Sequence, residues 1–255
     1  MRKTTYEQPL NERIRSFLRL EFLFRQSDYS LSGTSAWNSR AALESIIEVH
    51  DLVSRSDLKT EILKELERHT QNLAQLMENP KVDHKRLNQV LQSLDSLSNR
   101  IFSDNKPFGH ALKNNEFVTT IRQRTTVPGG TCDMDLPGYH FWLQKSSDER
   151  IDILTHWLSS FDILRQAIEL ILQLIRDSAS PRWELAENGF FQRNLDPANP
   201  CQILRISLPA EQDCYPEISG GKHRFTVRFM RQENYESRPK QINQDIEFEM
   251  SCCMI

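Results

Sequence analysis

Residues 220–231 read GGKHRFTVRFMR, and this stretch decides how the C-terminal part of the chain folds. Its apolar residues alternate with Arg224, Thr226 and Arg228, which is the period of a β-strand with one buried face. At about 3.3 Å per residue, the Cα atoms of the two arginines lie about 13 Å apart. The stretch therefore predicts a strand that carries a row of cations on its polar face.

Alternation of the same kind recurs nearby, at residues 204–208 and 246–252. Further upstream, Pro128-Gly129-Gly130 indicates a turn, and apolar residues then alternate on either side of Pro137-Gly138. The alternation predicts a β-hairpin over residues 131–144 and several short strands at the C-terminal end.

Apolar residues between about residues 10 and 125 recur instead at helical spacing, and helix is predicted again from about residue 147 to Pro181. Asp83 is placed to cap one of these helices, and Ser146 with Glu149 has the spacing of a capping box. The change of period predicts an α+β chain with two domains interleaved in sequence. Residues 1–117 and 147–180 would form a helical bundle-like domain, and residues 118–146 and 181–255 an antiparallel β-domain.

Composition places the chain among ordinary globular proteins. Its 255 residues are 26% charged and 38% hydrophobic, and the net charge is −3. These values exclude a wholly disordered chain and a generally basic protein that coats nucleic acid. No apolar run is long enough to span a membrane, and the N-terminal residues do not resemble a signal peptide. We therefore expect a soluble cytoplasmic protein.

Catalytic and metal-binding patterns are scarce in the sequence. It has no glycine-rich phosphate loop and no Cys/His cluster with the spacing of a metal site. Asp133 and Asp135 would share one strand face, for which a solvated polar face is a simpler interpretation than a cation site. Five scattered cysteines predict reduced, structural thiols, with Cys252 and Cys253 on opposite faces of a strand. We expect no enzyme activity, no cofactor and no metal.

Basic side chains make the sharper signal. Lys222 and His223 precede the alternating arginines, Arg122 and Arg124 precede the Pro-Gly-Gly turn, and Arg19 lies on the first helix. A row of arginines on a rigid strand can bind carboxylates or an extended anionic peptide. Two alternatives stay open, since Glu247 and Glu249 could pair with the row across the sheet, and arginines are often merely solvated.

Several long motifs, in the same order over nearly the whole chain, resemble the ZapD family of bacterial cell division proteins. They are PLNERIRSFLRLEFL near the start, RTTVPGGTCDMDLPGYHFWL in the middle, and YPEISGGKHRFTVRFM with DIEFEMSCC at the end. The resemblance implies a non-catalytic protein that binds the C-terminal tail of the tubulin-like GTPase FtsZ and bundles its filaments at the division ring. It also implies a helical domain that forms a homodimer and a β-domain with a basic tail-binding surface.

The family's tail-binding residues match particular positions of this chain. Arg224 and Arg228 correspond to the binding arginines and Arg55 to a further one, while Arg19, Arg122 and His140 fall at matching positions. For the dimer, the wide apolar surface of the first helix suggests an interface that includes Phe17, Leu20 and Phe24.

Two other functions compete with this interpretation. A nucleic acid could stack on Tyr139, Phe141 and Trp142 beside the basic strand, although the negative net charge disfavours it. An enzyme with an unrecognised site is the second alternative, and the lack of a convergent nucleophile, base and metal set argues against it.

Overall fold

The computed structural model describes residues 2–55, 57–221 and 223–254. Its chain divides into two compact units, one formed by residues up to Leu18 together with those from Leu172 onward, and the other by Arg19–Ile171. The first unit contains the sheets and the second is helical, so the α+β class is confirmed.

Most of the helices lie in the second unit, and the first and last of them extend into the first unit. They are α1 (Glu12–Leu31), α2 (Ala36–Arg55), α3 (Leu58–Ala74), α4 (His84–Ser103), α5 (His110–Lys113), α6 (Glu116–Thr125), α7 (Pro137–Leu143), α8 (Ser147–Ser159) and α9 (Asp162–Asp177), with a 3₁₀ turn at Gln75–Glu78. Both predicted caps are present. The Asp83 carboxylate accepts from the backbone of Lys85 and Arg86, and the Ser146 hydroxyl accepts from the backbone of Glu149. Each satisfies an N–H that the first turn leaves unbonded.

Strands β1 (Lys3–Pro9), β2 (Arg182–Ala186), β4 (Ile203–Pro209) and β8 (Ile246–Cys253) form the first sheet, in the order β1-β4-β8-β2. The second sheet has the order β3-β6-β5, made by β3 (Phe190–Asn194), β6 (Arg224–Arg231) and β5 (Tyr215–Gly220), and the short β7 (Lys240–Gln241) also pairs with β6. Each of these pairings is antiparallel.

One apolar core joins the inner faces of the two sheets. Phe225, Val227 and Phe229 of β6 are fully buried, and they share this core with Ile206 of β4 and Phe248 of β8. The ring centroids of Phe229 and Phe248 are 5.0 Å apart. Burial of one face of β6 turns its other face outward, so the predicted alternation along residues 224–229 is confirmed.

The predicted hairpin over residues 131–144 is wrong. Residues 128–135 form turns, and Pro137–Leu143 is the helix α7 in the helical unit. Leu136, Tyr139 and Leu143 are buried at helical spacing, whereas Phe141, which the strand pattern would bury, is 69% exposed. Proline at the first position of a helix is favourable because its missing N–H has no partner there anyway. Residues 118–146 consequently lie among the helices.

The dimer interface suggested on the first helix is also wrong in its residues. Phe17, Leu20 and Phe24 are no more than 2% exposed in the single chain, so they already belong to its own core. The helix presents other aromatic side chains to solvent, with Phe22 64% and Tyr29 79% exposed.

Candidate partner-binding surface

The polar face of β6 carries the two arginines singled out by the sequence. Arg224 and Arg228 are exposed, while their neighbours at 225, 227 and 229 hold the strand against the core. In the part of the chain that the structure describes, no ion pair joins either guanidinium to a carboxylate. Strand β6 therefore presents two exposed guanidinium groups that have no carboxylate partner among the described residues.

The neighbouring strands complete this surface, because residues directly opposite each other in an antiparallel pair point to the same side. On β3, Phe190 lies opposite Arg228, Gln192 opposite Thr226, and Asn194 opposite Arg224. On β5, Glu217 lies opposite Arg228 and Ser219 opposite Thr226. We call this set the basic face; its members are Phe190, Gln192, Asn194, Glu217, Ser219, Arg224, Thr226 and Arg228.

Neutralisation by Glu247 and Glu249, the alternative that strand spacing left open, is ruled out by topology. These glutamates lie on β8 in the first sheet, where Glu247 faces Leu185 and Glu249 faces Trp183 and Ser207. Lys3 of the same sheet forms the ion pair with Glu249. The nearest acidic neighbour of the row in the pairing register is instead Glu217.

At the β5–β6 turn, the basic face runs into a hollow of about 410 Å³. Ser219, Gly220, Gly221, His223, Arg224, Phe225 and Thr226 line it. His223 is exposed. Lys222 lies outside the described residues.

The remaining predicted contact residues lie in the helical unit. Arg122 on α6 is paired with Asp51 at 3.2 Å, whereas Arg124 on the same helix and Arg19 on α1 are exposed. Arg55 is the last residue of α2, and its side chain falls outside the description.

His140 lies on α7 and is held by a carboxylate. Its Nδ1 is 2.8 Å from Asp133 Oδ1, and the Arg40 guanidinium is 3.6 Å from the same oxygen. Arg40 also lies over the Tyr139 ring at 4.8 Å and donates to the carbonyl of Thr131. These contacts give His140 a structural partner, and they correct the prediction that Asp133 and Asp135 share a strand face, because both lie in the turn before α7.

Among the described residues, no group of three or more His, Cys, Asp or Glu side chains could hold a metal ion. The aromatic platform suggested for nucleic acid is likewise absent from the second sheet, since Tyr139 and Trp142 are buried in the helical unit.

The cysteines are free thiols, and Cys252 and Cys253 point to opposite sides of β8, as predicted. A hydrogen bond with the Cys201 thiol lowers the pKa of Cys252 below the ordinary value of a thiol. Burial has the opposite effect at Cys253, where it raises the pKa to about 11. This cluster lies at the end of β4 and β8 in the first sheet, away from the row of arginines on β6.

Fold and surface together define a class of protein, a two-unit α+β chain with exposed arginines on one face of a sheet. Comparison with known proteins makes this specific: residues 18–228 match the ZapD family model, described as cell division protein. The chain belongs to this family, and its role is in cell division.

Individual relatives are similar over nearly their whole length. The chain is 44% identical over 250 residues to Cell division protein ZapD of Methylococcus capsulatus, with 98% of each chain covered. It is 38% identical over 252 residues to the protein of that name from Coxiella burnetii, and 34% identical over 249 residues to the one from Dechloromonas aromatica, again with 98% of each chain covered. None of these names refers to an enzymatic activity. Within the described residues, no helix has the length and apolar character needed to cross a membrane.

Proposed function

We propose that this protein binds the C-terminal tail of FtsZ on the basic face and, as a homodimer, cross-links FtsZ filaments to promote assembly of the division ring in the cytoplasm. The observation that carries the proposal is the exposure of Arg224 and Arg228 on a rigid strand, without a carboxylate partner among the described residues. Membership of a cell division family supports the same role.

Charge and shape suit an extended peptide with carboxylates. The Cα atoms of the two arginines are spaced by about 13 Å along the strand, which an extended chain of about four residues matches. Arginine binds carboxylates through two parallel hydrogen bonds, so the pair can fix both the position and the direction of such a tail.

A homodimer supplies the second requirement for bundling. Each protomer carries one basic face, and joining two filaments needs two such faces in one particle. A filament displays many tails, so a weak single contact becomes a strong one through the high local concentration of the others.

Cationic side chains of the helical unit are proposed as further contacts that contribute less to tail binding. Arg124 and Arg19 are exposed and available, whereas Arg122 and His140 already have carboxylate partners in Asp51 and Asp133. Arg55, Lys222 and His223 complete the proposed set.

Co-pelleting with FtsZ polymerised in GTP tests the proposal. Bundling should be seen with the wild type and should be lost both with the Arg224→Glu/Arg228→Glu double variant and with FtsZ that lacks its C-terminal tail. The matched control is Arg182→Glu/Arg238→Glu, which changes the net charge equally at exposed positions outside the basic face.

Each outcome assigns the site. Loss of bundling with Arg224→Glu/Arg228→Glu and not with the control double variant supports the basic face, provided that the fold and the dimer are intact. Unchanged pelleting by that variant moves the site to Arg55, Arg122 or Arg124. Absence of pelleting by the wild type rejects the proposal and makes nucleic acid the next ligand to test, by gel shift.

A further inference from the structure

One edge of the second sheet has unbonded backbone groups beside the arginines. The backbone of Leu195 donates to His223, and Phe229 donates to Gly189, so odd-numbered residues of β3 bond to β6. In an antiparallel pair these bonds alternate along the strand, so the backbone N–H and C=O groups of Gln192 and Asn194 point away from β6. In the described residues, β3 pairs only with β6, apart from an isolated bridge between Phe190 and Glu187 at its first residue.

The opposite edge of the sheet is less suited to a new strand. Gly221 donates to Arg224, and the same alternation makes Pro216, Ile218 and Gly220 the residues of β5 that point outward. Proline has no N–H to donate. Strand β1 approaches β5, and the Leu10 side chain lies so close to Gly220 that an added Cβ would come within 2.8 Å of it.

Side chains make the same distinction between the edges. The free edge of β3 carries Gln192 and Asn194 on the basic face, and both are exposed and neutral. Strand β5 carries Glu217 on that face, which would repel an acidic peptide. The exposed fraction of Phe190, 39%, offers an apolar contact at the other end of β3.

We propose that an acidic, extended peptide joins the second sheet as a new strand along β3, with its main chain bonded to Gln192 and Asn194 and its carboxylates directed at Arg224 and Arg228. Strands in a sheet are about 4.8 Å apart, so the added strand runs about 10 Å from β6. An arginine and a carboxylate side chain together span that gap, past Asn194 in the case of Arg224 and past Phe190 in the case of Arg228. Main-chain bonds supply affinity and the alternate side chains supply specificity, as in other peptides added to a sheet edge. This inference rests on the proposed function, because it takes the FtsZ tail as the peptide.

The first test compares two substitutions at one position, with tail peptide binding measured by fluorescence anisotropy. Gln192→Pro removes the outward N–H, a change that edge strands accept, while Gln192→Ala removes only the side-chain amide. We expect the proline variant to bind about tenfold more weakly and the alanine variant within about twofold of the wild type. Equal binding by the two variants, with both folded, overturns the edge-strand mode.

The second test leaves the protein unchanged and so does not depend on how a variant folds. Amide hydrogen exchange should become slower at Gln192 and Asn194 when the tail peptide is added, and remain fast at Ile218 and Gly220. N-methylation of single backbone amides of the peptide should weaken binding at alternate positions, because only every second N–H of the added strand points towards β3. Protection at Ile218 and Gly220 instead, or at neither edge, contradicts the proposal.

Failure of this inference is distinguishable from failure of the proposed function. Binding that is lost with Arg224→Glu/Arg228→Glu but indifferent to Gln192→Pro keeps the basic face and rejects the added strand. Absence of peptide binding to the wild type rejects both.

Discussion

Glu217 lies directly opposite Arg228 on the basic face, where a carboxylate opposes the binding of an acidic peptide. Cross-strand charge pairs are worth about 0.2–1 kcal/mol. Glu217→Gln is therefore expected to tighten tail binding by about 1.4- to fivefold, because it removes a negative charge that repels the carboxylates of the peptide beside Arg228. Isothermal titration calorimetry with the tail peptide measures the change.

The control for this residue is Glu236→Gln, which removes one negative charge at an exposed position away from the second sheet's paired strands. Equal tightening by both variants would show that net charge alone matters, and would remove Glu217 from the binding surface. Sequence reasoning did not identify Glu217, Gln192 or Asn194, since only the strand register places them beside the arginines.

At the scale of the element, the second sheet holds the arginines only as firmly as its inner face is packed. Phe248 of β8 is fully buried and contacts the rings of Phe191 and Phe229. We expect Phe248→Ala to lower the free energy of unfolding by about 3–5 kcal/mol, because it leaves a cavity between the sheets. Denaturant unfolding monitored by circular dichroism measures this loss.

Phe190→Ala is the matched change on the outer side of the same sandwich, where the ring is 39% exposed. It should cost well under half as much stability, because solvent can fill the space that the ring leaves. Similar losses in the two variants would contradict the assignment of inner and outer faces.

A helix or strand could be predicted from the sequence where the apolar residues of its segment followed one spacing clearly, either that of a strand or that of a helix. On β6, three buried apolar residues alternate strictly with polar ones, so the sequence was sufficient. Around α7, Tyr139, Phe141 and Leu143 also alternate, but the buried residues are Leu136, Tyr139, Trp142 and Leu143, which fit a helix. Seven residues are too few to separate the two periods, and Pro137 at the start of the segment was the more informative signal.

The sequence could not predict to which of the two sheets each strand belongs. β6 and β8 both show clean alternation, and nothing in their residues says that one lies in the second sheet and the other in the first. That assignment decides whether Glu247 and Glu249 neutralise Arg224 and Arg228. Strand pairing between segments distant in sequence depends on the packing of the whole unit, so this part of the site required the structure.

At the scale of the whole molecule, the proposed dimer makes bundling more sensitive to salt than the binding of a single tail. Exposed ion pairs weaken as salt rises, because the screening length falls from about 10 Å at 0.1 M to about 3 Å at 1 M. A cross-link uses two basic faces, so its free energy loses the contribution of both when salt is added. We expect the logarithm of the apparent bundling affinity to fall with the logarithm of salt concentration about twice as steeply as that of peptide binding.

Light scattering of FtsZ filaments and anisotropy of the labelled tail peptide, measured over the same series of KCl concentrations, compare the two slopes. Arg228→Gln removes one charge from each face and should flatten both slopes while keeping their ratio, because every cross-link still uses two faces. The exposed Arg238, outside the basic face, provides the control Arg238→Gln, which should leave both slopes unchanged. Equal slopes for bundling and for peptide binding would mean that one basic face is enough to join filaments, and a peptide affinity indifferent to salt would mean that arginine–carboxylate pairs do not hold the tail.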